Sequence, residues 1–258
     1  MEHEFIDQVA LITGAGSGIG KATAALLAAK GAVVVINDIS ADHAEATAQE
    51  IGERGGRAHV IVGDVTEPGF VDSMFDRVAD DHGRLDIAHN NVGFGGNRSI
   101  IDTEDSAWQH GLDGNLGATF RGVRAALRIM VPKRRGVIIN TASAAGVRKV
   151  AGVAPYYGTA KAGVIHLTRE AAVEAGEFGI RVNAIVPGAV HTPAFEAYLG
   201  ADRFRQYMAQ LPLRRMAEAE DVAEAVAFLA SPRAAAITGI ALPIDSGVGA
   251  VMYQPTMN

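Results

Sequence analysis

Short apolar runs alternate with amphipathic stretches along the chain. The runs Val9–Thr13, Ala32–Asn37, Ala58–Val62, Leu85–His89, Gly136–Thr141, Ile180–Val186 and Gly239–Ile244 have strand length, and most are nearly continuous rather than alternating. A strand that is apolar at almost every position is buried on both faces, as in a parallel sheet covered by helices. Between the runs, Gly18–Lys30 ends at Gly31, a helix-terminating residue, and Ala41–Arg54 follows Ser40, which suits an N-terminal cap. Further helical patterns cover Asp113–Met130 and Tyr157–Ala175, and the basic run Lys133-Arg134-Arg135 reads as a helix end. Pro243 places the seventh run at a sheet edge or strand end. The pattern predicts repeated β-α-β units joined by right-handed crossovers: an α/β, Rossmann-type doubly wound parallel sheet of seven strands, in one domain spanning residues 1–258. Ligands of such a sheet sit beyond the carboxyl ends of its strands. Only His191–Met216, with Pro193 and Pro212, interrupts the alternation, and it reads as a lid over residues 191–216.

Composition narrows the chemistry. With 258 residues, 48% hydrophobic and 20% charged, the chain has ample apolar surface for one core. It has no cysteine, which removes disulfides, thiolate nucleophiles, iron–sulfur clusters and cysteine-based zinc sites. His89, His110, His166 and His191 are scattered without metal-ligand spacing, so no metal is expected. A net charge of -6 disfavours nucleic acid and anionic membranes as partners. The N-terminal stretch M-E-H-E-F-I-D-Q carries acids where a signal peptide needs a basic region and an apolar stretch, and no apolar run reaches membrane-spanning length. A soluble cytoplasmic protein is the expectation.

The first apolar run leads directly into Thr13-Gly14-Ala15-Gly16-Ser17-Gly18-Ile19-Gly20 and then a helical pattern. Glycines let backbone approach a pyrophosphate, and the helix start beyond them offers unpaired N–H groups and a positive dipole end. Two similar motifs fail on the letters. Ile19 stands where the third glycine of G-x-G-x-x-G would fall, and Ala15 and Ala22 occupy the first-glycine and Ser/Thr positions of a P-loop. What remains is T-G-x-x-x-G-x-G, with Gly14, Gly18 and Gly20. Asp38 ends the second run, 24 residues after Gly14, where a carboxylate can accept the hydroxyls of an adenosine ribose. Ser17 and Ile39 stand where a basic residue would bind a 2′-phosphate, so the pattern favours NAD over NADP. Asp64, at the end of the third run, is placed to meet the adenine amino group.

Tyr157 and Lys161 fall at i and i+4, on one helical face, and Ser143 precedes Tyr157 by 14 residues at the end of the fifth run. A phenol titrating near pH ~10 needs neighbouring positive charge to act as a base at neutral pH, so Lys161 and any nicotinamide cation would have to lower it. Tyr156 turns about 100° away from that face and is expected to pack or line the pocket. With T-G-A-G-S-G-I-G, N-N-V-G, N-T-A-S, Y-G-T-A-K and V-P-G-A-V-H-T in this order, the chain resembles the short-chain dehydrogenase/reductase family from Val9 to about Gly249. The resemblance implies a catalytic tetrad of Asn115, Ser143, Tyr157 and Lys161. Tyr157 would exchange a proton with the substrate oxygen, Ser143 would hydrogen-bond that oxygen, Lys161 would tune Tyr157 and bind the nicotinamide ribose, and Asn115 would position a relay water. It further implies cofactor contacts from Gly14, Ser17, Ile19, Asp38, Asp64, Val65, Asn91, Gly93, Pro187, Val190 and Thr192, and a homotetramer. Val92 enlarges the usual N-N-A-G stretch beside the adenine-ribose half.

The expected function is an NAD(H)-dependent oxidoreductase interconverting a secondary alcohol and a ketone. An NAD-binding isomerase or dehydratase and a non-catalytic dinucleotide sensor are the alternatives on the same fold. No serine sits in G-x-S-x-G, which argues against a hydrolase. The expected pocket wall is Phe94, Ala144-Ala145, Val150–Val153 and the lid residues Ala194, Phe195, Tyr198, Leu199, Tyr207 and Met208. It is mostly apolar and suits an uncharged cyclic or aryl-alkyl alcohol. Arg148 and Lys149 point the other way, toward a carboxylate or a coenzyme A thioester, unless they lie in a solvated loop.

Overall fold

The computed structural model describes residues 4–67, 69–150, 152–191 and 200–251. Its strands are β1 Val9–Thr13, β2 Val33–Asp38, β3 Arg57–Val62, β4 Ile87–Asn90, β5 Gly136–Thr141, β6 Ile180–Pro187 and β7 Ala241–Ile244. They form one parallel sheet in the order β3-β2-β1-β4-β5-β6-β7. The described helices are α1 Gly18–Ala29, α2 Ala41–Glu53, α3 Phe70–His82, α4 Asp105–Leu112, α5 Ala118–Lys133, α6 Pro155–Gly176, α7 Ala201–Gln210 and α8 Ala219–Ala230.

The continuity of the apolar runs follows from two cores, one on each face of the sheet. Leu11, Val35, Ala88 and Ile138 pack with Phe75, Ala126 and Met130 on one face, while Ile12, Ile36, Ile87 and Ile139 pack with Leu27, Val222 and Val226 on the other. Neighbouring residues of a strand thus serve opposite cores. The chain lays down β1, β2 and β3 in one direction and then crosses back to β4 beside β1. That reversal opens a crevice above the carboxyl ends of β1 and β4.

Several boundaries differ from the sequence pattern. β2 runs from Val33 to Asp38, one position later than expected, so the Asp38 carboxylate belongs to the last strand residue. β4 begins at Ile87 because Leu85 and Asp86 stand before the strand, and it reaches Asn90. β7 begins at Ala241 and is an edge strand, as Pro243 requires. The helix expected over Asp113–Met130 starts with a π-helical turn, Asp113–Gly117, inserted between α4 and α5 without leaving helical backbone. Arg134, at φ 51, ends α5. Within the predicted lid, α7 is described, and the bridge Val190↔Ala217 with the bond from His191 N–H to Ala217 O (2.8 Å) closes its neck. Thr192, Ala194, Phe195, Tyr198 and Leu199 lie outside the described residues, as does Ala151. No described helix is long and apolar enough to cross a membrane.

Candidate active site

The glycine loop closes on itself so tightly that side chains are excluded for two different reasons. A Cβ on Gly20 would lie 2.1 Å from the Gly14 carbonyl oxygen, so α1 can start this close to β1 only through glycine. Gly18, at φ +51, would meet no protein atom within 4 Å, so its bare backbone faces open space above the crevice. That is the surface a pyrophosphate needs. The Asn91 carboxamide holds the loop from below, donating to Thr13 O (3.1 Å) and Gly14 O (3.4 Å).

Asp38 is fixed by two backbone donors, Gly16 N–H to Oδ2 at 2.9 Å and Ser40 N–H to Oδ1 at 3.0 Å. Ser40, not Asp38, caps α2, accepting from His43 N–H at 3.3 Å. Each Asp38 oxygen keeps acceptor capacity for ribose hydroxyls. Asp64 is oriented the same way, its Oδ1 accepting from Thr66 N–H at 2.8 Å.

One cavity of about 530 Å³ runs from Asp38 and Ile39 across the glycine loop to Tyr157 and Lys161. It gathers Gly14, Ser17, Gly18, Ile19, Asp64, Val65, Asn91 and Gly93 on its wall. Gly20, Pro187 and Val190, also expected at the cofactor, are not on this wall. Gly20 is tucked behind the loop, and Val190 pairs with Ala217. Asn37, Gly63, Thr66, His110 and Thr141 line the cavity although the sequence did not single them out for it. His110 arrives from α4 by stacking on Phe94, ring centroids 5.0 Å apart, and Gly114 makes room, since a Cβ there would strike the Phe94 ring at 2.3 Å.

At the far end, α6 carries Tyr157 and Lys161 on the face turned to β5. The Lys161 ammonium, in a side chain only 1% exposed, donates to Thr141 O at 2.8 Å and lies 5.7 Å from the Tyr157 ring centroid. Gly93 is glycine because of it: a Cβ there would sit 2.6 Å from Lys161 Nζ. Burial pushes Lys161 down to about 8. Burial also raises the Tyr157 phenol above its ordinary value, and a hydrogen bond with Ser143 takes back part of the rise. Burial is thus the largest influence on the phenol, and the Ser143 hydrogen bond is what opposes it. Ser143 also accepts from Ala145 N–H at 3.2 Å, which orients its hydroxyl at the end of β5.

Asn115 is fully buried within the π turn, and its side chain is spent on the neighbouring loop: Oδ1 accepts from Phe94 N–H (3.1 Å) while Nδ2 donates to Phe94 O (3.0 Å) and Gly111 O (2.8 Å). A water at this position would have to use the Asn115 carbonyl, which already accepts from the Thr119 hydroxyl at 2.8 Å. Tyr156, 8% exposed, packs on Gly111 as its spacing predicts. Arg148 turns to Val251 O and Lys149 to Val153 O, and neither lines the cavity at Tyr157; Lys149 lines a second cavity of about 590 Å³ with Ala145, Val150 and Val153 of the expected wall.

The family model described as enoyl-(acyl carrier protein) reductase matches residues 14–249. The cis-4-hydroxycyclohexanecarboxylate dehydrogenase of Sinomonas cyclohexanicum is 40% identical over 252 residues, covering 97% of this chain and all of its own (100%). Among solved structures, levodione reductase superposes with a TM-score of 0.91 at 34% identity, covering 96% of this chain and 100% of that one. NAD+-bound xylitol dehydrogenase superposes with a TM-score of 0.88 at 32% identity, covering 95% and 100%.

Proposed function

The chain belongs to the short-chain dehydrogenase/reductase family and is an oxidoreductase acting on CH–OH groups, and we propose that it interconverts a ring-bearing secondary alcohol and its ketone with NAD(H). The observation that carries this reading is the single cavity joining the glycine loop and Asp38 to Tyr157 and Lys161. The donor set fits a dinucleotide: bare backbone at Gly18, a fixed carboxylate at Asp38 and a buried ammonium at Lys161. When bound, the nicotinamide supplies the hydride acceptor or donor.

In this reading Tyr157 Oη takes the proton of the alcohol or returns it to the ketone, and Ser143 Oγ holds the same oxygen. Lys161 anchors the adjoining ribose. The raised phenol and the depressed ammonium are both pushed toward their neutral forms. Tyr157 and Lys161 would therefore hold a nicotinamide whose positive charge, in the oxidative direction, would favour the Tyr157 phenolate. Among the described residues lining the cavity, Lys161 is the sole lysine or arginine, so nothing at the Asp38 end offsets a 2′-phosphate. A carboxylate about 4 Å from a phosphate costs about 4 kcal/mol at a surface-like dielectric, enough for a hundredfold preference for NAD. The apolar Phe94 wall supports an uncharged alicyclic substrate. The hydroxycyclohexanecarboxylate and cyclohexanol relatives carry a six-membered ring alcohol in their names, which supports the ring; the first is a carboxylate, so the support does not extend to the absence of charge. A homotetramer belongs to this reading too, supported by apolar side chains left open on α5 and α6, Phe120 at 48% and Val173 at 82% exposure.

The deciding assay follows NADH absorbance with a panel of cyclic secondary alcohols and NAD+. Turnover is expected, with Tyr157→Phe losing about a thousandfold or more in kcat while binding NADH as the unaltered protein does. Substrate consumed without net NADH would instead indicate an isomerase or dehydratase. NADP+ should give kcat/KM about a hundredfold lower, and Asp38→Ala should erase most of that difference. Equal use of both dinucleotides by the unaltered protein would refute the assignment of Asp38.

A further inference from the structure

A buried polar chain connects the two ends of this site through His89 and Thr141, which carry no role in the reaction above. His89 Nε2 lies 2.9 Å from Thr141 Oγ1, and Thr141 Oγ1 donates to Asn91 Oδ1 at 3.2 Å. Asn91 in turn spends its amide on the Thr13 and Gly14 carbonyls of the glycine loop, and its Nδ2 lies where a Cβ on Gly20 would come within 2.8 Å. The backbone carbonyl of the same Thr141 holds Lys161 Nζ at 2.8 Å. One residue thus faces both halves, its hydroxyl toward the cofactor loop and its carbonyl toward the catalytic lysine.

Counting protons fixes the direction of the chain. A threonine hydroxyl has one proton, and Thr141 gives it to Asn91, so His89 must donate from Nε2. His89 is then neutral, with Nδ1 an acceptor, and Nδ1 is buried with no partner. Leaving a buried acceptor orphaned costs free energy, so the position is not explained by stability alone. What the donation achieves is to pin the Thr141 rotamer, and with it the end of the Asn91 carboxamide that carries oxygen. An Asn91 turned end for end would present oxygen to the Thr13 and Gly14 carbonyls and release the loop.

We propose that Thr141, oriented by His89, is a positioning residue for dinucleotide binding: its hydroxyl locks Asn91 against the glycine loop and so sets affinity for the pyrophosphate. The inference rests on the dinucleotide reading of the cavity. Thr141 does not touch the reacting atoms through its hydroxyl, so its loss acts on binding before turnover.

The test compares Thr141→Val, which keeps the shape and the carbonyl that holds Lys161, with Thr141→Ser, which keeps the hydroxyl. NADH binding is read by fluorescence titration, with kcat, KM for NAD+ and Tm measured alongside. Thr141→Val is expected to raise the NADH Kd and the KM for NAD+ about tenfold with kcat changed less than threefold, and Thr141→Ser to restore both to about twofold of the unaltered protein. His89→Leu should raise Kd about threefold, and His89→Leu combined with Thr141→Val should bind no worse than Thr141→Val alone, because the chain passes through one hydroxyl. A Thr141→Val protein that binds NADH as tightly as the unaltered one overturns the inference, as does a drop in Tm with Kd unmoved. Full additivity of the two changes also overturns it. If His89→Leu does not fold, the Val and Ser variants still decide. Failure of the unaltered protein to bind NADH would overturn the dinucleotide reading itself, a result distinct from unchanged binding by the variants.

Discussion

Asp86 and His89 stand three residues apart on either side of the start of β4, and they answer burial in opposite ways. Asp86, 7% exposed, has its carboxylate fully engaged at the amino end of the sheet. It accepts from Val9 N–H at 2.9 Å and from Arg84 Nε and Nη2 at 2.7 and 2.8 Å, with Arg135 Nε 3.6 Å away. Its backbone also bonds to Val9 and Val137, so this one residue ties β1, β4 and β5 together. At the carboxyl end the buried groups are left short of partners. His89 is held down to about 3 with Nδ1 unpaired, Lys161 is pushed to about 8, and the Tyr157 phenol is raised. Each of these shifts favours the neutral form. One end of the sheet spends its polar groups on closing the fold, whereas the other leaves buried His89, Lys161 and Tyr157 pushed toward their neutral forms beside the cavity.

Lys161 offers the largest way to break the contrast. Replacing it with methionine should lower kcat about a thousandfold and weaken NADH binding, since both the ribose anchor and the cation beside Tyr157 are lost. Stability should move the other way. Removing a charge that burial disfavours is expected to leave Tm unchanged or raised at neutral pH. The pH dependence has a definite sign. The folded value near 8 lies below the ordinary 10.5, so between these the unfolded chain binds more protons, and the unaltered protein gains stability as pH rises through that window. The methionine variant lacks that gain. Its Tm advantage should therefore shrink from pH 8 to 10.5, and an advantage that held constant would show that Lys161 carries no such burial cost.

The same contrast explains what could be read from the letters. Strands buried on both faces write themselves as continuous apolar runs, so the number of strands and their places along the chain were legible, as were Gly14, Gly18, Asp38 and the Tyr157–Lys161 pair, whose geometry is set within one loop or one helix. Contacts between segments were not. His110 reaches the cavity only because Phe94 stacks on it, Thr141 matters only through partners 20 and 50 residues away, and the π turn at Asp113–Gly117 leaves no mark in a helical periodicity. The i,i+4 spacing put Tyr157 and Lys161 on one face, but the burial that raises the phenol is something no spacing reveals. Strand ends shifted by one or two residues for a related reason. Asp86 stands just before β4, bonding to Val9 and Val137 through its backbone while its carboxylate takes the Val9 N–H.

Asp86 gives the smaller and opposite test. Truncating it to alanine leaves the Val9 N–H without its side-chain acceptor and two arginines without their carboxylate. Arg84 and Arg135 are 32% and 55% exposed in their side chains, so water screens much of the ion-pair contribution. The cost then comes chiefly from the orphaned backbone donor and the lost bidentate bond, about 2 kcal/mol in all. Asp86→Asn keeps an acceptor for Val9 and should lose about half as much. Urea denaturation measures both, and NADH affinity and kcat should stay within about twofold, because the residue lies at the opposite end of β4 from the cavity. If Asp86→Asn instead weakened NADH binding as strongly as Thr141→Val, the two ends of β4 would be energetically coupled, and the division between a closed amino end and an open carboxyl end would fail.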